Sequence, residues 1–317
     1  MTAEPQAKPQ AKPQPSVFAR WWIYQRERFP LATHAPLIAA FSFCTLSFSM
    51  LARGVVALPS LKAVVVAFAT ALIFFLQMRI ADEFKDADED ACYRPYRPVP
   101  RGLISLRELG VVAVMGGAIQ ALLALWLSPA LLPFLLVTWA YLGLMCREFF
   151  VRDWLKAHPA TYMWSHMFIL PLIDLYGTAC DWRVANVEPP LALGILLFVS
   201  FCNGFILEIG RKIRAPEDEE YRVETYSALW GRRRAVTCWL IALTVTAIGA
   251  ALATFQIETP WEIALYAIVA ALALMVGLRF LRRPMPGSGK RIELLSGLWT
   301  LVLYLSLGAI PLALRLA

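Results

Sequence analysis

The sequence predicts an all-α, polytopic membrane protein, and three observations support that fold class. Of the 317 residues, 59% are hydrophobic and only 17% are charged, whereas a soluble domain carries about 25% charged residues. The mean hydropathy is +0.59. Apolar runs of about 20 residues, the length that a helix needs to cross a bilayer, recur along the whole chain.

Nine of these runs predict transmembrane helices. The fourth is short, so it is either tilted or partly buried in protein. The polar residues 1–17 precede them, and we expect no cleavable signal peptide there. In chain order the predicted spans are 36–52, 55–80, 109–128, 131–146, 160–180, 190–207, 235–255, 262–280 and 292–313.

The distribution of basic residues predicts the orientation of these spans. If the N-terminus is cytoplasmic, 26 of the 30 Lys and Arg residues fall on the cytoplasmic side, and only Arg53, Lys62, Arg183 and Arg315 fall on the other. This bias follows the positive-inside rule. It also explains the net charge of +7 through anionic membrane lipids, without a nucleic acid partner. We expect the protein in a bacterial cytoplasmic (inner) membrane.

The N-terminal segment divides into two parts. Residues 1–17 contain the repeat QAKP within a Pro, Gln, Ala and Lys tract, and such a composition predicts a disordered tail. Residues 18–30 are basic and rich in tryptophan, which indicates an amphipathic stretch on the cytoplasmic surface of the membrane. We expect one transmembrane domain over residues 18–317.

A dense acidic cluster follows the second predicted span. On one helix, its members would share about a third of the circumference. Like charges at this spacing repel one another, so the face needs cations to neutralise it, and carboxylates are typical ligands of divalent metal ions. These members are Asp82, Glu83, Asp86, Glu89 and Asp90.

A second cluster of mixed charge ends the sixth predicted span, from Glu208 to Glu220, and it lies on the same side of the membrane as the first. Two carboxylate clusters with Arg and Lys on one face suit a diphosphate that is bridged by divalent metal ions. A diphosphate beside apolar helices implies an isoprenoid chain between those helices.

The first cluster resembles the NDxxDxxxD motif of the UbiA superfamily of intramembrane prenyltransferases, with Asp82 and Glu83 at its first two positions. The stretch from Arg94 to Ser105 is similar to the RPxxRGxIS continuation of that family, slightly lengthened. The resemblance covers about residues 20–315. It implies nine transmembrane helices that surround a central apolar cavity capped by cytoplasmic loops.

The second cluster departs from the family pattern. If Thr225 takes the place of the usual Thr or Ser, Asp218 takes the second Asp of the DxxxD motif and Arg214 takes the first. We therefore expect Glu208 or Glu217 to supply the missing carboxylate, unless the chemistry has changed.

The resemblance implies a function and a set of site residues. Mg²⁺ would bind a prenyl diphosphate, whose ionisation gives an allylic cation that a lipophilic or aromatic acceptor attacks, with release of pyrophosphate. The expected metal ligands are Asp82, Glu83, Asp86, Asp90, Glu208 and Asp218, and the catalytic set comprises the same carboxylates without Glu208. The expected substrate contacts are Arg94, Arg97, Arg147, Arg211, Lys212 and Arg214, although Arg147 could equally anchor the fourth span at the interface.

Two alternatives remain open. The irregular second cluster also suits a UbiA-type membrane terpene cyclase, in which the prenyl chain itself traps the cation. A transporter that uses intramembrane charges is the other alternative, but the charges gather at one face and Asp174 stands nearly alone within the spans. Asp174 either pairs with another helix for structure or has a functional role.

Overall fold

A computed structural model describes residues 15–221 and 223–317. Most of the predicted disordered tail, including the QAKP repeat, lies outside the described residues. Every regular element within the described ranges is helical, which confirms the predicted all-α fold. In order, the helices are α1 (Val17–Arg28), α2 (Leu31–Ala52), α3 (Leu61–Lys85), α4 (Ala87–Tyr93), α5 (Leu106–Leu127), α6 (Leu132–Cys146), α7 (Arg152–Ala157), α8 (Pro159–Met167), α9 (Ile169–Trp182), α10 (Leu193–Arg211), α11 (Tyr226–Trp230), α12 (Arg232–Gln256), α13 (Ile263–Arg282), α14 (Gly289–Leu307) and α15 (Ala309–Leu316).

Eight segments of the described chain are long and apolar enough to cross a membrane. Six of them are α2, α3, α5, α10, α12 and the consecutive pair α14 and α15. The other two are α6 and α13, each lengthened by a preceding 3₁₀ turn, Pro129–Leu131 and Pro260–Glu262 respectively. These segments correspond to eight of the nine predicted spans.

The remaining predicted span, 160–180, is present as two shorter helices. Helix α8 ends at Met167 and α9 begins at Ile169. Pro171 accounts for the interruption, because it has no N–H to donate to the carbonyl of Met167 one turn earlier. The residues of the ninth predicted span are therefore helical, but they form two consecutive helices that are each shorter than the eight candidate spans.

The helices divide into an inner and an outer group. Within its most apolar stretch α10 has 61% of its residues buried in the protein, and α2 has 56%, whereas α5 has only 22%. Helix α10 packs against α9, α12 and α14, and α2 packs against α3, α9 and α14. The outer helices expose apolar side chains such as Val114 and Leu122, which suits contact with lipid.

Buried polar residues join the inner helices. Asp174 of α9 is fully buried, and its two oxygens accept hydrogen bonds from Thr45 of α2 (3.0 Å) and Tyr304 of α14 (2.9 Å). Nearer the other end of α9, Asp181 accepts bonds from Ser49 and Arg53. This arrangement favours the structural interpretation of Asp174, since hydrogen bonds between helices stabilise a membrane bundle.

Helix α1 covers most of residues 18–30, the stretch for which the sequence predicts an amphipathic surface helix. Phe18 and Trp22 are exposed on one side, whereas Tyr24 is buried on the other. Arg20 donates to both carboxylate oxygens of Glu108 at the start of α5. The helix is thus attached to the bundle at the end where the charged loops gather.

Candidate functional site

The connections at one end of the bundle, with the helix ends that lead into them, are rich in charged side chains, and we call this region the charged end. It consists of residues 82–105, 147–158, 208–221, 223–231 and 283–288. The connections contact one another: Asp218 accepts a hydrogen bond from the Gly287 N–H (2.7 Å), and the rings of Tyr93 and Tyr221 lie 6.4 Å apart. The first and second acidic clusters both lie here.

The first acidic cluster does not lie on one continuous helix, so the prediction of a single acidic helical face is wrong. Helix α3 ends at Lys85, Asp86 has non-helical backbone angles (φ −94°, ψ 3°), and α4 begins at Ala87. Splitting the cluster between two helices relieves the repulsion that a single face would impose. It also turns its carboxylates toward different neighbours.

Glu83 is buried among basic side chains. Its side chain is only 1% exposed, and its Oε1 accepts a bond from Arg28 Nε at 2.5 Å and lies 3.2 Å from Arg79 Nη2. Arg28 comes from α1, so the N-terminal helix supplies a counter-charge to the first cluster. The sequence does not indicate that these two arginines pair with Glu83, because Arg28 is 55 residues away and Arg79 lies inside the apolar run.

Asp90 is likewise buried and neutralised by arginine. Arg94 donates to its Oδ1 (2.8 Å), and Arg97 donates to both its oxygens (2.7 and 2.6 Å). The chain then turns at Gly102, whose φ of 74° lies in the left-handed region that favours glycine. Through the contacts of Arg94 and Arg97, the Arg-Pro stretch folds back on Asp90.

Asp82 and Asp86 are the members of the motif that keep carboxylate oxygens available. Asp82 is 45% exposed and only approaches Arg79 and Lys85, at 3.8 and 3.9 Å. Within the described chain Asp86 forms no ion pair at 4 Å or less. Burial raises the pKa of the Asp86 carboxyl, and the negative charges of Asp82 and Asp90 raise it further. A bound cation would relieve this repulsion.

A buried lysine adjoins Asp82. Lys85 Nζ donates to the Tyr162 hydroxyl (3.2 Å) and lies 3.4 Å from His166 Nε2. His166 Nδ1 lies 2.8 Å from the Tyr162 carbonyl oxygen, so Nδ1 carries the proton and Nε2 accepts from the ammonium group. The sequence offered no signal for this group, because Lys85 and α8 are far apart in the chain.

The second cluster begins with a neutralised glutamate. Glu208 is buried near the end of α10, and one of its oxygens accepts from Arg211 Nε (2.6 Å) while the other accepts from Lys212 Nζ (2.9 Å). Lys212 Nζ also lies 5.4 Å from the ring of Tyr226. Burial raises the pKa of the Tyr226 hydroxyl, and the charge of Glu208 raises it further.

Asp218 and Glu219 of the second cluster stabilise the loop through hydrogen bonds. Asp218 accepts from the Gly287 N–H, and Glu219 accepts from the Thr225 hydroxyl with both oxygens (2.8 and 2.7 Å). Glu217 is exposed. Arg214 has two long contacts, 3.5 Å to the Asp218 carbonyl and 3.3 Å to a Glu220 oxygen.

The two clusters lie close enough for their charges to interact. Asp82 of the first interacts electrostatically with Arg211 of the second. The Tyr162 hydroxyl interacts with both Asp82 and Glu208. The structure thus brings charged groups of the two clusters, which are more than a hundred residues apart in the chain, within electrostatic range of each other.

Arg147 is exposed at the end of α6. It precedes an unusual turn in which Glu148, Phe149 and Phe150 all have positive φ (47°, 52° and 62°). Such backbone angles are unfavourable for non-glycine residues and occur often near functional sites. The turn places the Phe149 ring against His166, with 5.9 Å between ring centroids.

The predicted metal ligands do not form one cage. Among the described residues, no three His, Cys, Asp or Glu side chains gather in a group that could hold a metal ion. Asp82 and Asp86 fit a Mg²⁺ ion that is shared with a phosphate, because Mg²⁺ commonly uses only one or two protein carboxylates together with substrate oxygens. The predicted metal roles of Glu83, Asp90, Glu208 and Asp218 stay predictions.

Comparisons with known proteins agree with this architecture. A sequence model of the UbiA prenyltransferase family matches residues 40–298. Among solved structures, the chain is similar to digeranylgeranylglyceryl phosphate synthase (15% identity, 92% of this chain and 99% of that chain, TM-score 0.62) and to an apo UbiA homologue from Aeropyrum pernix K1 (15%, 89% and 98%, 0.63). A UbiA homologue from Archaeoglobus fulgidus bound to DMAPP and Mg²⁺ is also similar (13%, 90% and 98%, 0.52). At these identities the likeness shows a shared fold. No curated protein sequence matches the chain.

Proposed function

The chain belongs to the UbiA prenyltransferase family, and we propose that it ionises a prenyl diphosphate and transfers the prenyl group to a lipophilic or aromatic acceptor. The observation that carries this proposal is the juxtaposition at the charged end. Asp82 and Asp86 lie at the end of the apolar helix α3, where Asp82 is 3.9 Å from Lys85 Nζ and interacts electrostatically with Arg211 of the second cluster. The carboxylates and cations suit a metal-bound diphosphate, and the apolar helices suit an isoprenoid chain.

Asp82 and Asp86 are the residues that would hold Mg²⁺. When bound, Mg²⁺ neutralises the phosphate oxygens and so supports departure of pyrophosphate. The Archaeoglobus fulgidus homologue of the same fold was solved with DMAPP and Mg²⁺, which supports this assignment of ligand and metal.

The chain's own cations assist the same step. Lys85 Nζ lies 3.9 Å from Asp82, and Arg211 interacts with Asp82 electrostatically. In this proposal both cations stabilise the negative charge that develops on the leaving pyrophosphate. The ring of Tyr162, which lies 5.6 Å from Lys85 Nζ, provides an aromatic face near the allylic cation. The apolar helices exclude water, which would otherwise quench that cation.

The arginine-paired carboxylates have a different role. We assign Glu83, with Arg28 and Arg79, and Asp90, with Arg94 and Arg97, to shaping the loop that presents Asp82 and Asp86. Both acids are buried and hydrogen-bonded to guanidinium groups. Separating a buried carboxylate from its arginine would leave an uncompensated charge inside the protein. These ion pairs therefore keep the loop in one conformation.

The charged end faces the cytoplasm in this proposal. The 26-to-4 division of basic residues supports that direction, and nine crossings would put Ala317 on the opposite side. A reporter that is active only in the cytoplasm should be silent when fused after Ala317 and active when fused before Met1. Strong activity after Ala317 would show that one of the nine crossings, most directly the broken α8–α9 helix, does not span the membrane.

The activity can be tested with purified protein in lipid nanodiscs. We expect pyrophosphate release from a prenyl diphosphate in buffer with Mg²⁺ only when a lipophilic extract or an aromatic acceptor is added, and none in EDTA. Mass spectrometry of the lipid-soluble products should then show an acceptor that has gained one prenyl group.

Two other outcomes would change the proposal. A cyclic hydrocarbon or alcohol formed from the prenyl diphosphate alone would establish the terpene cyclase, which the altered second cluster also suits. Absence of pyrophosphate release across prenyl chain lengths, with and without acceptors, would contradict both reactions.

A further inference from the structure

Three carboxylates of the second cluster, those of Glu208, Asp218 and Glu219, accept hydrogen bonds from groups of the protein itself. Both oxygens of Glu208 are bonded to cations, Asp218 holds the Gly287 N–H, and Glu219 holds Thr225. A carboxylate that already binds two cations has little charge left to attract a metal ion. Glu208 is therefore poorly placed to attract a metal ion, and Asp218 and Glu219 already serve as hydrogen-bond acceptors within their loop.

The arginine side chains of the second cluster, by contrast, retain N–H donors that are not used in short hydrogen bonds. Arg211 binds Glu208 through Nε and Nη2, yet its side chain is 56% exposed and a guanidinium has five N–H donors. Arg211 also interacts with Asp82. Among the described residues, the guanidinium of Arg214 makes only contacts of 3.3 and 3.5 Å, so it can turn to a ligand at small cost.

We propose that the second cluster binds the phosphate end of the substrate directly, through Arg211 and Arg214 with Lys212 beside them, and that the site holds one divalent cation, at Asp82 and Asp86. This inference rests on the proposed function for the identity of the diphosphate. Guanidinium groups match phosphate oxygens in charge and in geometry, since two parallel N–H bonds can form to one phosphate. The positive charge that a second metal ion would supply comes here from side chains.

The number of bound metal ions tests this proposal at equilibrium. Mn²⁺, followed by electron paramagnetic resonance, would be titrated into the full-length protein in nanodiscs with inorganic pyrophosphate present. We expect one Mn²⁺ per chain, lost in Asp86→Asn and kept in Glu208→Gln and Asp218→Asn. Two Mn²⁺ ions per chain, with one lost in Glu208→Gln or Asp218→Asn, would overturn the proposal.

Pyrophosphate affinity provides a second, independent measurement. Arg214→Ala should weaken binding of pyrophosphate with Mn²⁺ by about tenfold or more, because a charge-assisted bond to phosphate contributes strongly. Arg214→Lys should restore part of the affinity. Arg233→Ala removes an exposed arginine from the start of α12 and should leave the affinity unchanged. Equal affinities for Arg214→Ala and the unsubstituted protein would contradict direct binding by this residue.

These measurements separate the inference from the proposed reaction. Both follow binding of Mn²⁺ and pyrophosphate, so they report on the anion site whether or not a prenyl group is transferred. Prenyl transfer accompanied by two bound metal ions would contradict the inference alone. One bound ion without turnover of any prenyl diphosphate would contradict the proposed reaction alone.

Discussion

Replacing Asp86 with asparagine should abolish Mn²⁺ binding and reduce turnover by at least about 100-fold, while leaving the folded protein at least as stable as before. Loss of a residue that merely supports a metal ligand costs about 10–100-fold in affinity, so loss of a direct ligand should cost no less. Stability should not fall, because burial and the charges of Asp82 and Asp90 already disfavour the Asp86 carboxylate. Mn²⁺ titration, pyrophosphate release and thermal unfolding of the same preparation would measure the three quantities.

The matched control for this prediction is Glu89→Gln. Glu89 lies on α4 in the same acidic cluster, and its exposed carboxylate pairs with Lys156 at 2.9 Å. Because the helix breaks at Asp86, Glu89 does not share with Asp82 and Glu83 the one helical face that the sequence predicts. We expect Glu89→Gln to keep normal Mn²⁺ affinity and turnover. A similar loss in both variants would indicate that the general negative charge of the cluster matters, and that Asp86 is not a specific ligand.

The sequence predicted the fold well because membrane crossing depends on local composition. Each apolar run satisfies the length requirement on its own, so eight spans could be located without knowledge of their neighbours. The break in the ninth depends on the single missing N–H of Pro171. That proline is visible in the sequence, but proline is tolerated in transmembrane helices, so its presence alone does not predict two helices.

The site was predictable only in part, because charge compensation is a property of tertiary structure. The clustering of acids at one face follows from topology and could be read from the chain. Which acids stay available could not, since Glu83 is neutralised by Arg28 from α1, which lies 55 residues earlier. The environment of Lys85 could not be predicted either, because its contacts with Tyr162 and His166 exist only through the packing of α8.

Glu83→Ala tests whether that residue is a metal ligand or a structural counter-charge. Its side chain is only 1% exposed and faces Arg28 and Arg79. Removal leaves both guanidinium groups without their buried partner, so we expect a loss of about 3–5 kcal/mol in the free energy of unfolding. Glu83→Gln should be intermediate, because an amide can still accept a hydrogen bond but carries no charge. Thermal or denaturant unfolding of the protein in detergent would measure the change.

An exposed ion pair from the same cluster provides the comparison. Glu89 and Lys156 are 50% and 44% exposed, and such surface pairs contribute only about 0–1 kcal/mol. Glu89→Ala should therefore barely change the unfolding free energy. If Glu83 is instead a metal ligand, Glu83→Ala will lower Mn²⁺ affinity and leave the unfolding of the metal-free protein unchanged. If Glu83 is the counter-charge of Arg28 and Arg79, the results should be reversed. The metal-free protein should lose much of its stability, and the protein that remains folded should keep its Mn²⁺ affinity.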